Sequence, residues 1–192
     1  IKIESKWEIV KIGDILSLEY GQGLPEKKRN KGNYPVVGSN GIIGFHNEYL
    51  VKSPSIIIGR KGSVGKVTMI GENCFPIDTT FYVVLKNKRV NFNYIGFVLK
   101  DIEKDIESLN SGIGPGGLNR NDVYEIKIPL PPKDIQEKIV GEIKKLELKE
   151  EKTNKEVESL KSKIENILPK TNLIFLREIA IIQKGTSITK IK

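Results

Sequence analysis

The chain has 192 residues, 38% hydrophobic and 29% charged, a balance that suits one ordinary domain plus an extension and excludes a disordered chain or two full domains. The longest apolar runs, such as Ser55 to Ile58, are far too short to cross a bilayer, and no basic-then-apolar leader opens the chain, so membrane insertion and secretion are not expected. The net charge is +8; residues 1–132 carry 18 basic and 14 acidic groups, 133–170 carry 10 and 9, and 171–192 carry 4 and 1, so the positive excess lies outside 133–170 and suits a polyanionic partner.

Trp7 to Ile12 alternates and predicts a short strand. Glycine and asparagine then punctuate the chain densely at Gly21, Gly23, Gly32, Gly38, Asn40, Gly41 and Gly44. Between and after them lie β-branched or aromatic runs: Val36-Val37, Ile42-Ile43, Ile56 to Ile58, Val64 to Ile70 and Phe81 to Leu85. Short strands parted by turn signals predict a curved sheet or barrel-like core. Asn93 to Leu109 has helical spacing through Ile95, Val98, Leu99, Ile102 and Ile106, so the domain is mixed α+β, with helices flanking a twisted sheet. Ser111 to Gly117 is a glycine-rich loop.

Ile126 to Pro132 is extended, because no helix can include Pro129, Pro131 and Pro132. Asp134 and Glu137 resemble a capping box with Asp in place of Ser or Thr. From Ile135 to Leu168 there is no proline and one glycine, Gly141. Ile139, Ile143, Leu146, Glu150, Thr153, Val157, Leu160, Ile164 and Ile167 follow one another in alternating steps of four and three, a heptad seam with Glu150 at the polar place. Such a helix is a rod of about 50 Å, longer than the preceding domain is wide, so the seam needs a partner helix. Pro169 stops it. Ile174 to Gly185 then echoes Val10 to Gly21, with Ile179 matching Ile15 and Glu178 matching Asp14. The predicted organisation is a globular head at 1–132, a long coiled-coil helix at 133–169, and the start of a second repeat at 170–192.

Catalytic chemistry is not visible. His46 is the single histidine, which excludes zinc clusters of the His/Cys kind, and it follows a turn with no nucleophile beside it. Cys74, the single cysteine, cannot form an internal disulfide and fits a reducing cytoplasm. Gly59 to Thr68 superficially suggests a phosphate loop, but Arg60 stands where glycine is required and Val67 where Ser or Thr is required. Leu130-Pro131-Pro132-Lys133 lacks both the polar residue and the aromatic of the Asn/Asp-Pro-Pro-aromatic motif that a methyltransferase needs. The expectation is a chain with no catalytic residue, no metal site and no cofactor of its own.

Several loops combine positive charge with small and amide side chains. Lys27, Lys28, Arg29 and Lys31 form the densest basic run and could neutralise phosphates, although a solvated loop tip has the same composition. Ser39 and Asn40, between two β-branched pairs, suit base-edge contacts or a structural turn. Arg60, Lys61, Ser63 and Lys66 sit among glycines that would let backbone approach a phosphate, and Arg60 or Lys61 could reach a guanine edge. Thr79, Thr80 and Arg120 add polar groups next to turns.

Taken in order, Pro35 to Gly44, Gly59 to Gly65, Phe75 to Thr80, Gly116 to Asn119, and Ile128 to Pro132 followed by Ile135 to Val140 resemble the specificity subunits of type I restriction–modification enzymes. That resemblance implies a DNA-reading subunit with two target-recognition domains, each followed by a long helix, the helices packing antiparallel as a ruler between two half-sites. It also implies modification subunits that bind S-adenosylmethionine and methylate adenine, with restriction subunits as further partners. The match covers one domain, one helix and the opening of a second domain, so it implies half a subunit, either truncated or from an interrupted gene. Two copies paired through their helices would rebuild the layout around a twofold axis on double-stranded DNA, and the target would be a bipartite palindrome. Glu150 and Thr153 would set the pairing register at some cost in stability. Three other readings stay open: a coiled-coil adaptor whose head binds protein, an enzyme using Asp78 with Lys61 or Lys66, and the specificity module of a fused restriction–methylation enzyme.

Overall fold

A computed structural model describes residues 7–110 and 117–167. The chain divides into two compact units, Ile1–Gly141 and Glu142–Lys192. The echo of the first domain expected at 170–192 lies outside the described residues.

The described residues of the first unit form nine strands in three sheets. β2 (Leu16–Tyr20), β8 (Thr80–Leu85), β5 (Ser55–Gly59) and β6 (Val67–Ile70) form an antiparallel sheet in that order. β4 (Gly41–His46), β3 (Tyr34–Gly38) and β7 (Phe75–Pro76) form a second, in which β3 runs antiparallel to β4 and parallel to β7. β1 (Glu8–Lys11) pairs antiparallel with β9 (Lys127–Leu130), Glu8 opposite Leu130. The mixed α+β character follows the sequence pattern, and the short strands expected from it are shared among three sheets.

β5 explains how the layers stack. All five of its residues are buried, which is why the run Ile56 to Ile58 is apolar without alternation. Ile56 and Ile58 enter the main core with Leu16, Leu18, Phe81, Ile95 and Leu99. Ile57 points the other way into a smaller cluster with Val37, Ile70 and Cys74.

The helical stretch expected at 93–109 is two helices, α2 (Phe92–Asp101) and α3 (Glu103–Ser108), parted at Ile102. The Asn91 side chain caps α2 by accepting the Tyr94 N–H. The start of α3 is pinned to the start of β6 instead: Glu103 Oε1 accepts the Val67 N–H at 2.8 Å. Gly65, at φ +80, packs there against the Glu103 carbonyl and the Glu107 backbone. Two one-turn helices also lie in this unit, α1 (Ile12–Ile15) and α4 (Arg120–Tyr124).

The long helix α5 runs from Lys133 to Ile167. It begins one residue before Asp134, which therefore lies inside the first turn and is not its cap; the amides of Ile135 and Gln136 both donate to the Pro132 carbonyl. The Asp134 carboxylate lies 3.9 Å from Lys138 Nζ, so no capping box forms. Within the first unit, Val140 is buried and Ile139 packs against the same core, so Ile139 contributes to the head rather than to an open seam. Ile143 is half-buried, and from Lys144 to Asn166 the helix is exposed. Leu146, Val157, Leu160 and Ile164 are exposed, Leu146 by 65% and Leu160 by 57%. Among the described residues, no helix is long and apolar enough to cross a membrane.

Candidate functional site

Four loops of the head converge around residues 59–66. Gly59 ends β5, and its amide donates to the Lys66 carbonyl while the Gly65 amide donates back to the Gly59 carbonyl, closing the loop at 2.9 Å on each bond. A Cβ on Gly59 would collide with the carbonyl oxygens of Ser63 and Ser39, so the β3–β4 turn and the β5–β6 loop meet at a position only glycine can fill. That turn is the two-residue Ser39-Asn40, with Gly41 at φ +113. Lys66 Nζ donates to Asn40 Oδ1 at 2.7 Å and ties the two loops together.

The third segment precedes β8. The amides of Arg60 and Lys61 both donate to the Thr79 carbonyl, at 2.8 and 3.2 Å. The fourth is 117–120. The Leu118 amide donates to the Arg60 carbonyl at 2.8 Å, and Gly117, at φ +70, lies so close that any Cβ would strike that oxygen. Asn119 caps α4 by accepting the Asn121 N–H, which leaves Arg120 at the first helical position.

Arg60 and Arg120 meet at one aromatic ring. Each guanidinium carbon lies 5.2 Å from the centroid of Tyr20, at the end of β2. Arg60 Nη2 donates to the Asp78 carbonyl at 3.0 Å, and Arg120 Nη1 to the Leu18 carbonyl at 3.2 Å. Among the described residues, Arg60 Nε is buried without a hydrogen-bond partner. The salt bridges of the described residues involve none of Arg60, Lys61, Lys66 and Arg120, and no group of three or more His, Cys, Asp or Glu is placed to hold a metal.

The structure thus brings Ser39, Asn40, Arg60, Lys61, Ser63, Lys66, Thr79 and Arg120 to one cluster. Thr80 belongs to it only from inside: it is fully buried, and its hydroxyl donates to the Ile77 carbonyl at 2.7 Å, so it locks the turn instead of facing a ligand. Lys27 and Lys28 lie on an exposed 3-10 turn, Glu26–Lys28, and Lys31 is also exposed. Arg29 reaches across to β4, donating to the Ile43 carbonyl at 3.0 Å, so the basic run flanks the strand that leaves the Ser39-Asn40 turn. His46 is buried, and its Nδ1 accepts the Asn30 N–H at 3.0 Å, a structural bond that anchors the end of that run. Tyr20 carries no charge signal in the sequence, and reading residues by type passes over it.

The sequence profile of the type I restriction modification DNA specificity domain matches residues 4–162. The chain belongs to this family. Two candidate type I specificity subunits resemble it in sequence. S.MpnORF507P of Mycoplasma pneumoniae is 30% identical over 140 residues, covering 70% of this chain and 38% of that protein. The MjaX subunit of Methanocaldococcus jannaschii is 28% identical over 191 residues, covering 87% and 43%. The chain therefore spans about two fifths of these relatives. Among solved structures, the S subunit of a type I restriction–modification system from M. genitalium superposes with a TM-score of 0.68 at 23% identity, over 82% of this chain and 43% of that one. The specificity-domain fold, a mixed α+β head with a long helix after it, is common to both.

Proposed function

We propose that the chain is a DNA sequence-recognition component of a type I restriction–modification system, and that it directs modification subunits to a bipartite target without catalysing a reaction itself. The observation that carries this reading is the loop cluster. Four segments distant in sequence bring Arg60, Lys61, Lys66 and Arg120 together, none of them in a salt bridge with a carboxylate of the described residues. Charge of this kind binds phosphates, while Ser39, the free amide hydrogens of Asn40, and Ser63 are of the chemistry that reads base edges.

In this reading residues 1–132 are the reader, 133–169 the pairing helix, and 170–192 the opening of a second repeat. The exposed line Leu146, Val157, Leu160 and Ile164 supports pairing with an equivalent helix, since a narrow apolar stripe on a solvated helix is stable only when covered. Two copies related by a twofold axis would read a palindrome in two halves. A rod of about 50 Å would hold them roughly one to one and a half helical turns apart, each turn about 34–36 Å. S-adenosylmethionine and methyl transfer to adenine belong to the modification subunits, which dock on the chain together with restriction subunits in the cytoplasm.

Co-expression with modification subunits of a type I system, followed by genome-wide mapping of methylated adenine, tests this directly. The expected result is one bipartite motif that disappears when Lys61, Lys66 and Arg120 are replaced by glutamine. Methylation that does not depend on this chain, or that keeps its motif in the loop variant, would refute the assignment.

A further inference from the structure

We propose that Tyr20 positions Arg60 and Arg120 as a paired clamp on one phosphate of the DNA backbone. The inference rests on the DNA-reading function above and names what this part of the surface holds.

Tyr20 is half exposed, 52%, at the end of β2, opposite Phe81 in the register of β8, and the two rings lie 5.0 Å apart. The buried Phe81 fixes the ring, and the ring's electron-rich face attracts both guanidinium groups, each 5.2 Å from its centroid. Backbone carbonyls complete the seats, Asp78 O for Arg60 and Leu18 O for Arg120. Two like charges are thereby gathered at one ring, neither in a salt bridge with a described carboxylate. Their repulsion is relieved by an anion. A neutral base edge would leave it in place.

The free donors favour the same ligand. Arg60 has its Nε buried and one Nη2 hydrogen engaged on Asp78, so its side-on fork is closed to a ligand, and the hydrogens of Nη1 with the second of Nη2 remain as charged donors at the end of the side chain. Arg120 spends Nη1 on Leu18 and keeps the Nε and Nη2 fork, whose geometry matches two phosphate oxygens. Arg60 and Arg120 come from opposite sides of the domain's sequence, and Tyr20 is their shared contact. Tyr20 is thus a positioning residue that acts through the two arginines.

The test uses the chain assembled with its methyltransferase subunits and titrated, across salt from about 50 to about 200 mM, with a duplex carrying the mapped target and an unrelated duplex of equal length. Tyr20→Leu is expected to flatten the slope of log affinity against log salt by about one, equally on both duplexes. Tyr20→Phe, which keeps the ring, should retain the wild-type slope. Arg60→Gln combined with Arg120→Gln should reproduce the flattening with Tyr20 and Phe81 intact, and this variant decides the matter if Tyr20→Leu does not fold. A double variant with an unchanged slope overturns the clamp. So does a loss confined to the target duplex, which would assign the arginines to base reading. A wild-type complex that binds neither duplex would instead sink the DNA-reading function, and the clamp with it.

Discussion

The side-chain oxygen of Gln136, in the first turn of α5, accepts the backbone N–H of Asn91 at 2.7 Å, immediately before α2 begins. The amide nitrogen of the same side chain donates to the carbonyls of Pro131 and Arg89, at 2.8 and 3.2 Å. Gln136 is only 1% exposed, so a single buried amide satisfies one backbone donor and two backbone acceptors where the helix leaves the head. Gln136→Leu leaves all three without that partner. We expect a loss of about 2–4 kcal/mol, because each buried unsatisfied group costs about 1–3 kcal/mol and some regain water. Urea denaturation followed by circular dichroism measures it, and a midpoint equal to wild type would remove Gln136 from the account of how the helix is rooted.

The second unit makes the opposite prediction. Leu146 and Leu160 are exposed, so replacing both by serine should leave the head's denaturation midpoint where it is. Self-association should weaken by roughly tenfold or more per position, since a covered leucine contributes about 1.5–3 kcal/mol. Sedimentation equilibrium separates the two quantities. Glu150→Leu should strengthen pairing or scramble its orientation, and a pair of unchanged strength and register would show that Glu150 has no part in alignment.

Stability should fall at alkaline pH. Burial pushes the Cys74 thiol above its ordinary value of 9.0, opposed in part by its contact with Ser55 and reinforced by Glu72. Burial likewise raises the Tyr94 phenol above 10.0. Each folded group therefore keeps its proton to higher pH than the unfolded group does. The stabilisation is complete below the unfolded values and is lost as pH rises through the folded ones. Melting temperature measured from pH 7 upward should decline beyond about pH 9, and Cys74→Ala should soften the early part of that decline. A flat profile for wild type would contradict the burial assigned to both groups.

Gly117→Ala should damage the loop cluster without touching a charge. The position has φ +70, and the added methyl meets the Arg60 carbonyl that receives the Leu118 amide. A strained residue of this kind costs about 1–3 kcal/mol. The variant should lose stability and, because Arg60 shifts, weaken duplex binding as well. Binding at wild-type strength by a destabilised Gly117→Ala protein would uncouple this segment from the site.

The sequence made the long helix legible because its causes are local. Pro131 and Pro132 forbid helix, and the steps of three and four after them require it. Ile56 to Ile58 were equally plain, since a strand buried on both faces needs no polar alternation. The division into three sheets was hidden, because the pairing of β1 with β9 and of β2 with β8 joins segments far apart in the chain. The break at Ile102 was hidden for the same reason: Val67 at the start of β6 gives its amide to the side chain of Glu103, 36 residues later in the chain. Residue chemistry pointed to most of the loop cluster, yet Thr80 is polar by type and internal by position. Tyr20 acquires its role only when Arg60 and Arg120 arrive beside it, and no window of sequence contains all three.

The pairing of Glu8 through Lys11 with Lys127 through Leu130 sets an order of events during synthesis. Every other strand of the reader leaves the ribosome before β9 does, and the apolar stripe of α5 follows later still. A nascent chain can therefore close its own globular part before the apolar stripe of α5 is available to a neighbour.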